Sequence, residues 1–183
     1  MRGIELMDEV HPVSANPFTE LPHRVSEART GFTILAFSGD MDRLLAVFTL
    51  ATSAAAMGTP VTIFFAFWGL AALKRQTTFK GKGFLGAVLT AMLPSGPESL
   101  GLSRWNMLGL GRRFFGVVMR RNRMETLRGL IDLAREMKVR MVACQTSMGA
   151  LAIAREELLE GVETGGAATF LEAAQSSATT IFV

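Results

Sequence analysis

The chain has 183 residues, of which 49% are hydrophobic and 18 are glycine, a composition that excludes a fully disordered or fibrous protein and predicts one compact domain. Its 19 Lys and Arg residues exceed its 16 Asp and Glu residues by three, which is too small an excess to predict nucleic acid as a partner. A single cysteine excludes an internal disulfide, and no secretory signal pattern follows Met1. A reducing, cytoplasmic location is therefore expected.

Residues 1–30 are predicted to form an N-terminal arm rather than part of the folded domain. They mix prolines with scattered charges and contain both histidines, His11 and His23, without an apolar pattern of their own. Such a segment is either flexible or docked on a neighbour. The folded domain is then expected over residues 31–183.

The first part of this domain shows two strand–helix units. Residues 32–37 predict a short buried strand, followed by a turn and a helix over about 42–57. Residues 61–67 predict a second strand, which leads into a short helix ending near Lys74.

The uncharged run over residues 44–73 is long enough to span a bilayer. Gly58, Thr59 and Pro60 interrupt it, with Ala and Met before the break and β-branched and aromatic residues after it. This asymmetry predicts a helix and then a strand buried in a parallel sheet. A membrane-associated form is the alternative.

The middle of the chain is harder to assign. Residues 86–93 fit either a third strand or a helix, and residues 94–97 are a loop. Gly81, Gly83 and Gly86 spell G-x-G-x-x-G, but they follow a basic loop rather than a strand, so a glycine-rich loop is favoured over a phosphate site. A dense basic cluster would suit an anion such as thiosulfate, an acidic partner or a lipid surface, although a solvated helix face is the simpler interpretation; it consists of Arg112, Arg113, Arg120, Arg121 and Arg123.

The last part of the chain returns to clear patterns. Apolar residues recur at three- and four-residue spacing over 127–137 and predict an amphipathic helix. A short apolar run then leads to Cys144, after which Thr146 and Ser147 are candidate N-caps of another helical turn. A helix after Gly166 and a closing strand at 179–183 complete an α/β fold with a largely parallel sheet and right-handed crossovers.

Parallel strands point their carboxyl ends to one edge of the sheet, where ligand sites of such folds gather. We therefore expect one pocket that holds a thiol, an acid and an indole. Its candidate residues are Cys144, Ser38, Gly39, Asp40, Trp68, Gln145, Thr146 and Ser147. Asp40 and the helix start after Cys144 would orient or polarise the site and Trp68 would wall it, although Asp40 also fits a helix cap and Trp68 a core position.

Cys144 is the residue most suited to covalent chemistry. A cysteine between a strand and a helix start lies near unpaired backbone N–H groups and the positive end of the helix dipole, which favour the nucleophilic thiolate. A buried, inert cysteine is the alternative. Because no second cysteine can resolve an adduct, release would need a thiol from a partner or a small molecule. The remote histidines argue against a hydrolase triad and a closed zinc site, and no cofactor is expected.

Five stretches from about residue 31 to the carboxyl end carry a family resemblance: ILAFSGDMDRLLAVFTLATSAAAMG, VTIFFAFWGLAAL, LPSGP with LSRWNMLGLG, VRMVACQTSM and REELLEGVETGGAATFL. The chain resembles the DsrE/DsrF-like sulfur-relay family, particularly its branch often labelled peroxiredoxin-like. The resemblance implies a flavodoxin-like three-layer α/β/α domain of about five largely parallel strands that assembles into homo-oligomers.

For function, the resemblance implies a sulfur carrier or sulfurtransferase. Cys144, which matches the family's cysteine, would bind sulfane sulfur or thiosulfate and exchange it with rhodanese-like or TusA-like carrier proteins. Relatives with additional cysteines differ from this chain, so a two-cysteine mechanism is not implied, and neither is peroxidase activity. The competing hypothesis is a non-catalytic oligomeric α/β binding module in which Cys144 is structural.

Overall fold

Short uncharged runs of β-branched and aromatic residues form the strands of a single sheet. A computed structural model describes residues 29–79, 81–104 and 110–183, so nearly all of the predicted arm at 1–30 lies outside the described residues. The strands are β1 (Gly31–Ala36), β2 (Val61–Phe65), β3 (Arg140–Cys144), β4 (Glu163–Gly165) and β5 (Ser177–Phe182). Their order is β4-β3-β2-β1-β5, and each neighbouring pair is parallel.

Helices cover both faces of this sheet. They are α1 (Met41–Ala56), α2 (Phe84–Met92), α3 (Leu110–Arg121), α4 (Leu127–Glu136), α5 (Gln145–Ala150) and α6 (Ala167–Ser176), with 3₁₀ helices at Phe67–Leu73, Pro97–Ser99 and Arg155–Glu157. Helices α1 and α4 pack together, whereas α6 packs against β1, β4 and β5. The result is the predicted flavodoxin-like three-layer α/β/α fold.

The uncharged run at 44–73 is divided as predicted. Helix α1 ends at Ala56, Gly58 adopts a left-handed φ of 79°, and β2 begins at Val61. Glycine suits this position because it has no Cβ to oppose a positive φ. Across the described ranges, no helix has both the length and the hydropathy that a membrane crossing requires.

Several element boundaries differ from the predictions. Strand β2 ends at Phe65 rather than residue 67, because Phe67 takes a positive φ of 45° and opens a 3₁₀ helix. Residues 86–93, which fitted strand or helix, fall almost wholly within α2. Strand β4 has only three residues, too few to show a strand pattern in the sequence.

Alternate residues of the strands point to two different cores. The face toward α1 and α4, which we call the α1 face, is built around Ile34, Ile63 and Phe65 together with Phe48 of α1. The opposite face, which we call the α6 face, holds a small cluster of Phe64, Ala66 and Val142, against which Leu35, Cys144 and Phe170 pack. The two-residue repeat of a strand therefore assigns Cys144 to the α6 face.

Candidate functional site

Cys144 stands where β3 meets α5, at the carboxyl edge of the sheet. It is the last residue of the strand and the N-cap residue of the helix, with extended backbone angles (φ −68°, ψ 115°). Its side chain is half-buried and unpaired with any other cysteine. The prediction that Cys144 lies between the end of a strand and the start of a helix is thus confirmed.

The thiol lies against an apolar wall on the α6 face. Phe64, Ala66 and Val142 form the buried cluster beneath it, and Phe170 of α6 packs against the same cluster. The rings of Phe64 and Phe170 are 5.5 Å apart between centroids and tilted by 54°. One helix with one aromatic side chain therefore accounts for much of the cover over this part of the sheet.

The amino-terminal end of α6 begins beside Cys144. Gly165 of β4 is the strand partner of Cys144, and the ten-residue helix α6 starts two residues later, after Gly166. Gly166 provides no side-chain cap, so the N–H groups of the first turn lack that partner and carry the positive end of the helix dipole. A backbone environment suited to negative charge thus begins two residues after the strand partner of Cys144.

Gly165 has a packing reason to be glycine. A Cβ added there would lie 2.8 Å from Oγ1 of Thr169 and 2.9 Å from its Cβ, closer than side chains approach. The third residue of α6 therefore folds back over the end of β4, and only glycine leaves room for it. This contact fixes the start of α6 relative to β4 and so relative to Cys144.

Four of the predicted site residues meet at a separate cavity. Ser38, Gly39, Asp40 and Trp68 line a cavity of about 260 Å³ together with Ala71, Pro94 and Gly101. Oγ of Ser38 donates a hydrogen bond to Oδ2 of Asp40 at 2.8 Å, and the Asp40 N–H donates to Oγ of Ser38 at 3.1 Å. A Cβ on Gly39 would lie 2.8 Å from the carbonyl oxygen of Trp68, so glycine permits the two loops to touch.

The helix-cap alternative for Asp40 holds for its backbone position but not for its side chain, and the core alternative for Trp68 is wrong. Asp40 occupies the N-cap position of α1 but makes no side-chain cap hydrogen bond, because its carboxylate is engaged by Ser38 and lies 3.6 Å from Nε of Arg43. Trp68 does not belong to the core, since 52% of it is exposed. It lines the cavity together with Ser38, Gly39 and Asp40.

Cys144 is not among the residues that line this cavity. Strand β2 lies between β3 and β1, so the ends of β3 and β1 are separated by two strand spacings, about 10 Å. Cys144 also packs on the α6 face. The structure thus places the predicted thiol and the predicted acid at one sheet edge but in different surroundings.

The predicted N-caps after Cys144 are wrong. Helix α5 already begins at Gln145, so Thr146 and Ser147 lie in its first turn. Gln145 and Thr146 are exposed, and Nε2 of Gln145 donates to Oγ1 of Thr164 at 3.4 Å. Ser147 is 1% exposed, and its Oγ has no hydrogen-bond partner among the described residues.

Sequence reasoning missed the side chains that surround the thiol. Phe170 and Gly165 fall inside one of the stretches that carried the family resemblance, but no spacing rule placed them beside Cys144. Arg155 was also missed; its Nη1 donates to Oγ1 of Thr164 at 3.0 Å, next to the strand partner of Cys144. The predicted arginine cluster lies elsewhere. One of its members, Arg120, lines an apolar cavity of about 510 Å³ that is bordered by α3 and α4.

Metal ligation has no candidate in the part of the chain that the structure describes. No group of three or more His, Cys, Asp or Glu side chains lies close enough together there to hold an ion.

Comparison with known proteins decides the family. The model of the DsrE/DsrF/DrsH-like family matches residues 28–182. The chain belongs to this family. The resemblance seen in the sequence is thereby confirmed over nearly the whole described chain.

Two curated members are similar over most of their length. An uncharacterized protein, YrkE of Bacillus subtilis strain 168, is 37% identical over 152 residues, covering 82% of this chain and 95% of that protein. The sulfur carrier protein DsrE2 of Allochromatium vinosum is 31% identical over 159 residues, covering 82% of this chain and 96% of its own. The crystal structure of the ychN protein from E. coli aligns with a TM-score of 0.49 at 12% identity, covering 84% of this chain and 99% of that one.

Proposed function

We propose that this member of the DsrE/DsrF/DrsH-like family is a sulfur carrier that binds sulfane sulfur on Cys144 and passes it to the thiol of a partner protein. The observation that carries the proposal is the position of the chain's only cysteine, half-buried at the carboxyl edge of the sheet beside the starts of two helices. Similarity to a protein named as a sulfur carrier supports a role in sulfur relay.

The loading step is a displacement at sulfur. The Cys144 thiolate attacks the sulfane sulfur of a donor persulfide or of thiosulfate, and a new S–S bond forms to Sγ. The old S–S bond breaks, and its electron pair leaves with the donor thiolate or with sulfite. Cys144 then carries one additional sulfur atom as a persulfide, with no net oxidant required.

The delivery step repeats this chemistry in the other direction. A thiolate of the acceptor attacks the outer sulfur of the Cys144 persulfide, and the Cys144 thiolate is the leaving group. Because the chain has one cysteine, the acceptor thiol must come from another molecule. Rhodanese-like and TusA-like proteins are the proposed exchange partners, since they carry sulfur on a cysteine of their own.

The surroundings of Cys144 support both steps. The uncapped first turn of α6 stabilises negative charge on the thiolate and on the outer sulfur of a persulfide. Phe170 and Ala66 form an apolar wall that limits access from one side, and the cavity of Ser38, Asp40 and Trp68 at the same edge provides a second surface for positioning the donor or acceptor.

Mass spectrometry of the intact protein tests the proposal. After treatment with polysulfide or thiosulfate, the native chain gains the mass of a sulfur atom, and Cys144→Ser gains nothing. Ser147→Ala is the matched control, because it removes a hydroxyl from the same helix while leaving the thiol. An absent adduct on the native chain, or an equal adduct on Cys144→Ser, contradicts the proposal.

The rival function is a binding module with a structural cysteine, and alkylation separates the two. A carrier must present its sulfur to another protein, so iodoacetamide modifies Cys144 in the folded protein at a measurable rate. If modification occurs only after denaturant is added, Cys144 is structural. The half-buried state of the side chain favours the carrier.

A further inference from the structure

The backbone after β2 holds Trp68 at the cavity that it lines with Asp40. The preceding residue, Phe67, takes a positive φ of 45°, a conformation that bulky side chains rarely adopt. Contacts with Phe37 fix this turn: the two phenylalanine rings are 5.2 Å apart, and the Gly69 N–H donates to the Phe37 carbonyl oxygen at 2.9 Å. Backbone strain that is fixed in this way often accompanies a binding site.

Asp40 is the one charged side chain among the described residues that line this cavity. Its Oδ2 accepts a hydrogen bond from Ser38, and no described residue donates to its Oδ1. The start of α1 contributes positive charge here, but only about half an elementary charge, which is less than the full negative charge of a carboxylate. The cavity therefore favours a cation and disfavours an anion such as thiosulfate.

Arg43 does not satisfy this preference. Its Nε lies 3.6 Å from Oδ2 of Asp40, its side chain is 56% exposed, and it is not among the residues that line the cavity. An exposed pair three positions apart on a helix contributes little stability and separates readily. The carboxylate of Asp40 is thus able to bind a second cation from inside the cavity.

We propose that this cavity binds a lysine or arginine side chain of the protein that exchanges sulfur with Cys144. The charged end pairs with Asp40, and its carbon stem packs on the indole of Trp68, since tryptophan is the best aromatic partner of a cation. The volume of about 260 Å³ suits one long side chain, because pockets for drug-sized ligands begin at about 300 Å³. The inference rests on the proposed function, which supplies the exchange partner.

Fluorescence of Trp68 tests the cavity without any sulfur chemistry. The second of the chain's two tryptophans, Trp105, is replaced by Phe in the full chain, so that the emission reports on residue 68. n-Butylguanidinium should change this emission saturably, whereas its neutral analogue n-butylurea should not at the same concentrations. Asp40→Asn should weaken n-butylguanidinium binding about tenfold or more, because hydrogen bonds to charged groups are the stronger ones.

Two further variants separate the local charge of the cavity from a general change in charge. Arg43→Gln should tighten n-butylguanidinium binding, because it removes a competing cation from Asp40. Glu136→Gln changes the net charge as Asp40→Asn does, but Glu136 ends α4 just before β3 begins, at the opposite edge of the sheet. Its affinity should equal that of the parent chain. Equal binding of both probes overturns the proposal, as does unchanged affinity in Asp40→Asn that circular dichroism shows to be folded.

Sulfur transfer tests whether the acceptor supplies the cation. The ends of β3 and β1 are about 10 Å apart, which about three extended residues can span. A Cys-Gly-Gly-Arg peptide with blocked ends is therefore the acceptor probe, and Cys-Gly-Gly-Gln is its neutral control. The native chain, loaded with sulfur on Cys144, should transfer it to the arginine peptide about threefold faster. Asp40→Asn should bring the two rates together.

The outcomes distinguish this inference from the proposed function. Equal transfer to both peptides by the loaded native chain overturns the inference, even if n-butylguanidinium binds, because the acceptor then gains nothing from its cation. A chain that takes up no sulfur on Cys144 overturns the proposed function instead. The fluorescence titration then decides alone whether the cavity of Asp40 and Trp68 binds a basic side chain.

Discussion

The two faces of the sheet differ in the size of their buried hydrophobic clusters. On the α1 face, Phe48, Ile34, Ile63 and Phe65 are fully buried, and two packed helices cover them. On the α6 face, the buried hydrophobic cluster has three residues around Phe64, and Phe170 of α6 packs against it. The difference indicates that the α1 face supplies most of the stability, while the thinner face holds the thiol near solvent.

The polar groups of the two faces also differ in their surroundings. Glu157 is fully buried at the margin of the large core, where its Oε1 lies 3.0 Å from Nζ of Lys82 and accepts the Thr78 N–H at 2.6 Å. Its Oε2 accepts the Ala154 N–H at 3.1 Å. On the α6 face, Cys144 is the strand partner of Gly165, and α6 begins two residues after that glycine. The first arrangement holds loops together through a buried ion pair, whereas the second places a half-buried thiol between apolar side chains and a helix start.

Truncation on the α1 face gives the largest expected effect. Phe48→Ala removes a ring that is 0% exposed and lies 5.9 Å from the ring of Phe65, so it leaves a cavity between α1 and the sheet. We expect a loss of about 3–5 kcal/mol in the free energy of unfolding, measured by urea titration. Leu50→Ala on the exposed side of α1 is the control and has a much smaller effect. A loss below about 1 kcal/mol for Phe48→Ala would show that the two faces do not differ as described.

Neutralising Glu157 gives the next largest effect. Burial alone would raise the pKa of this carboxyl, but hydrogen bonds from the Thr78 and Ala154 N–H groups and from Lys82 hold the pKa below its ordinary value. Glu157→Gln leaves the Lys82 charge buried without its partner, and we expect a loss of about 3 kcal/mol at neutral pH, since breaking a buried pair is costly.

The lowered pKa of Glu157 determines how the stability of the native chain changes with pH. A carboxyl with a lowered pKa in the folded state stabilises the protein above its unfolded pKa, about 4.3, and this contribution is lost as the pH falls through the folded value. We therefore follow thermal unfolding as the pH is lowered from about 5 across about three pH units. Over this range the native chain should lose more stability than Glu157→Gln. Glu156→Gln, at the exposed neighbouring position, should follow the native curve. Parallel curves for the native chain and Glu157→Gln would contradict the assignment.

The alternation of strands and helices could be predicted because it depends on local patterns. Gly58 and Pro60 marked the break in the uncharged run, and the apolar spacing of α4 identified that helix. The position of Cys144 at a strand end followed from the same kind of pattern. Local signals were sufficient wherever an element was long enough to show a period.

The immediate surroundings of the thiol could not be predicted because they depend on pairing between distant segments. Gly165 is 21 positions from Cys144 in the sequence and becomes its neighbour only through the register of β3 and β4. The same register assigns Cys144 to the α6 face, away from Asp40. The N-cap prediction for Thr146 and Ser147 failed for a smaller reason: α5 follows β3 without a connecting residue, and helix boundaries are weakly marked in sequence.

Removing the cover of the α6 face gives the smallest effect on stability but a specific effect on the thiol. Phe170 is half-buried and packs against the Phe64 cluster beside Cys144, so Phe170→Ala is expected to cost about 1–2 kcal/mol, less than burial of a whole phenylalanine side chain contributes. The rate of Cys144 alkylation should rise about fivefold or more, because 1 kcal/mol of easier local opening corresponds to about that factor. Leu171→Ala is the matched control, since Leu171 is 55% exposed on the same helix and should leave the rate unchanged. An equal rise in both variants would mean that α6 loosens as a whole, and no rise in either would mean that Phe170 does not limit access to the sulfur.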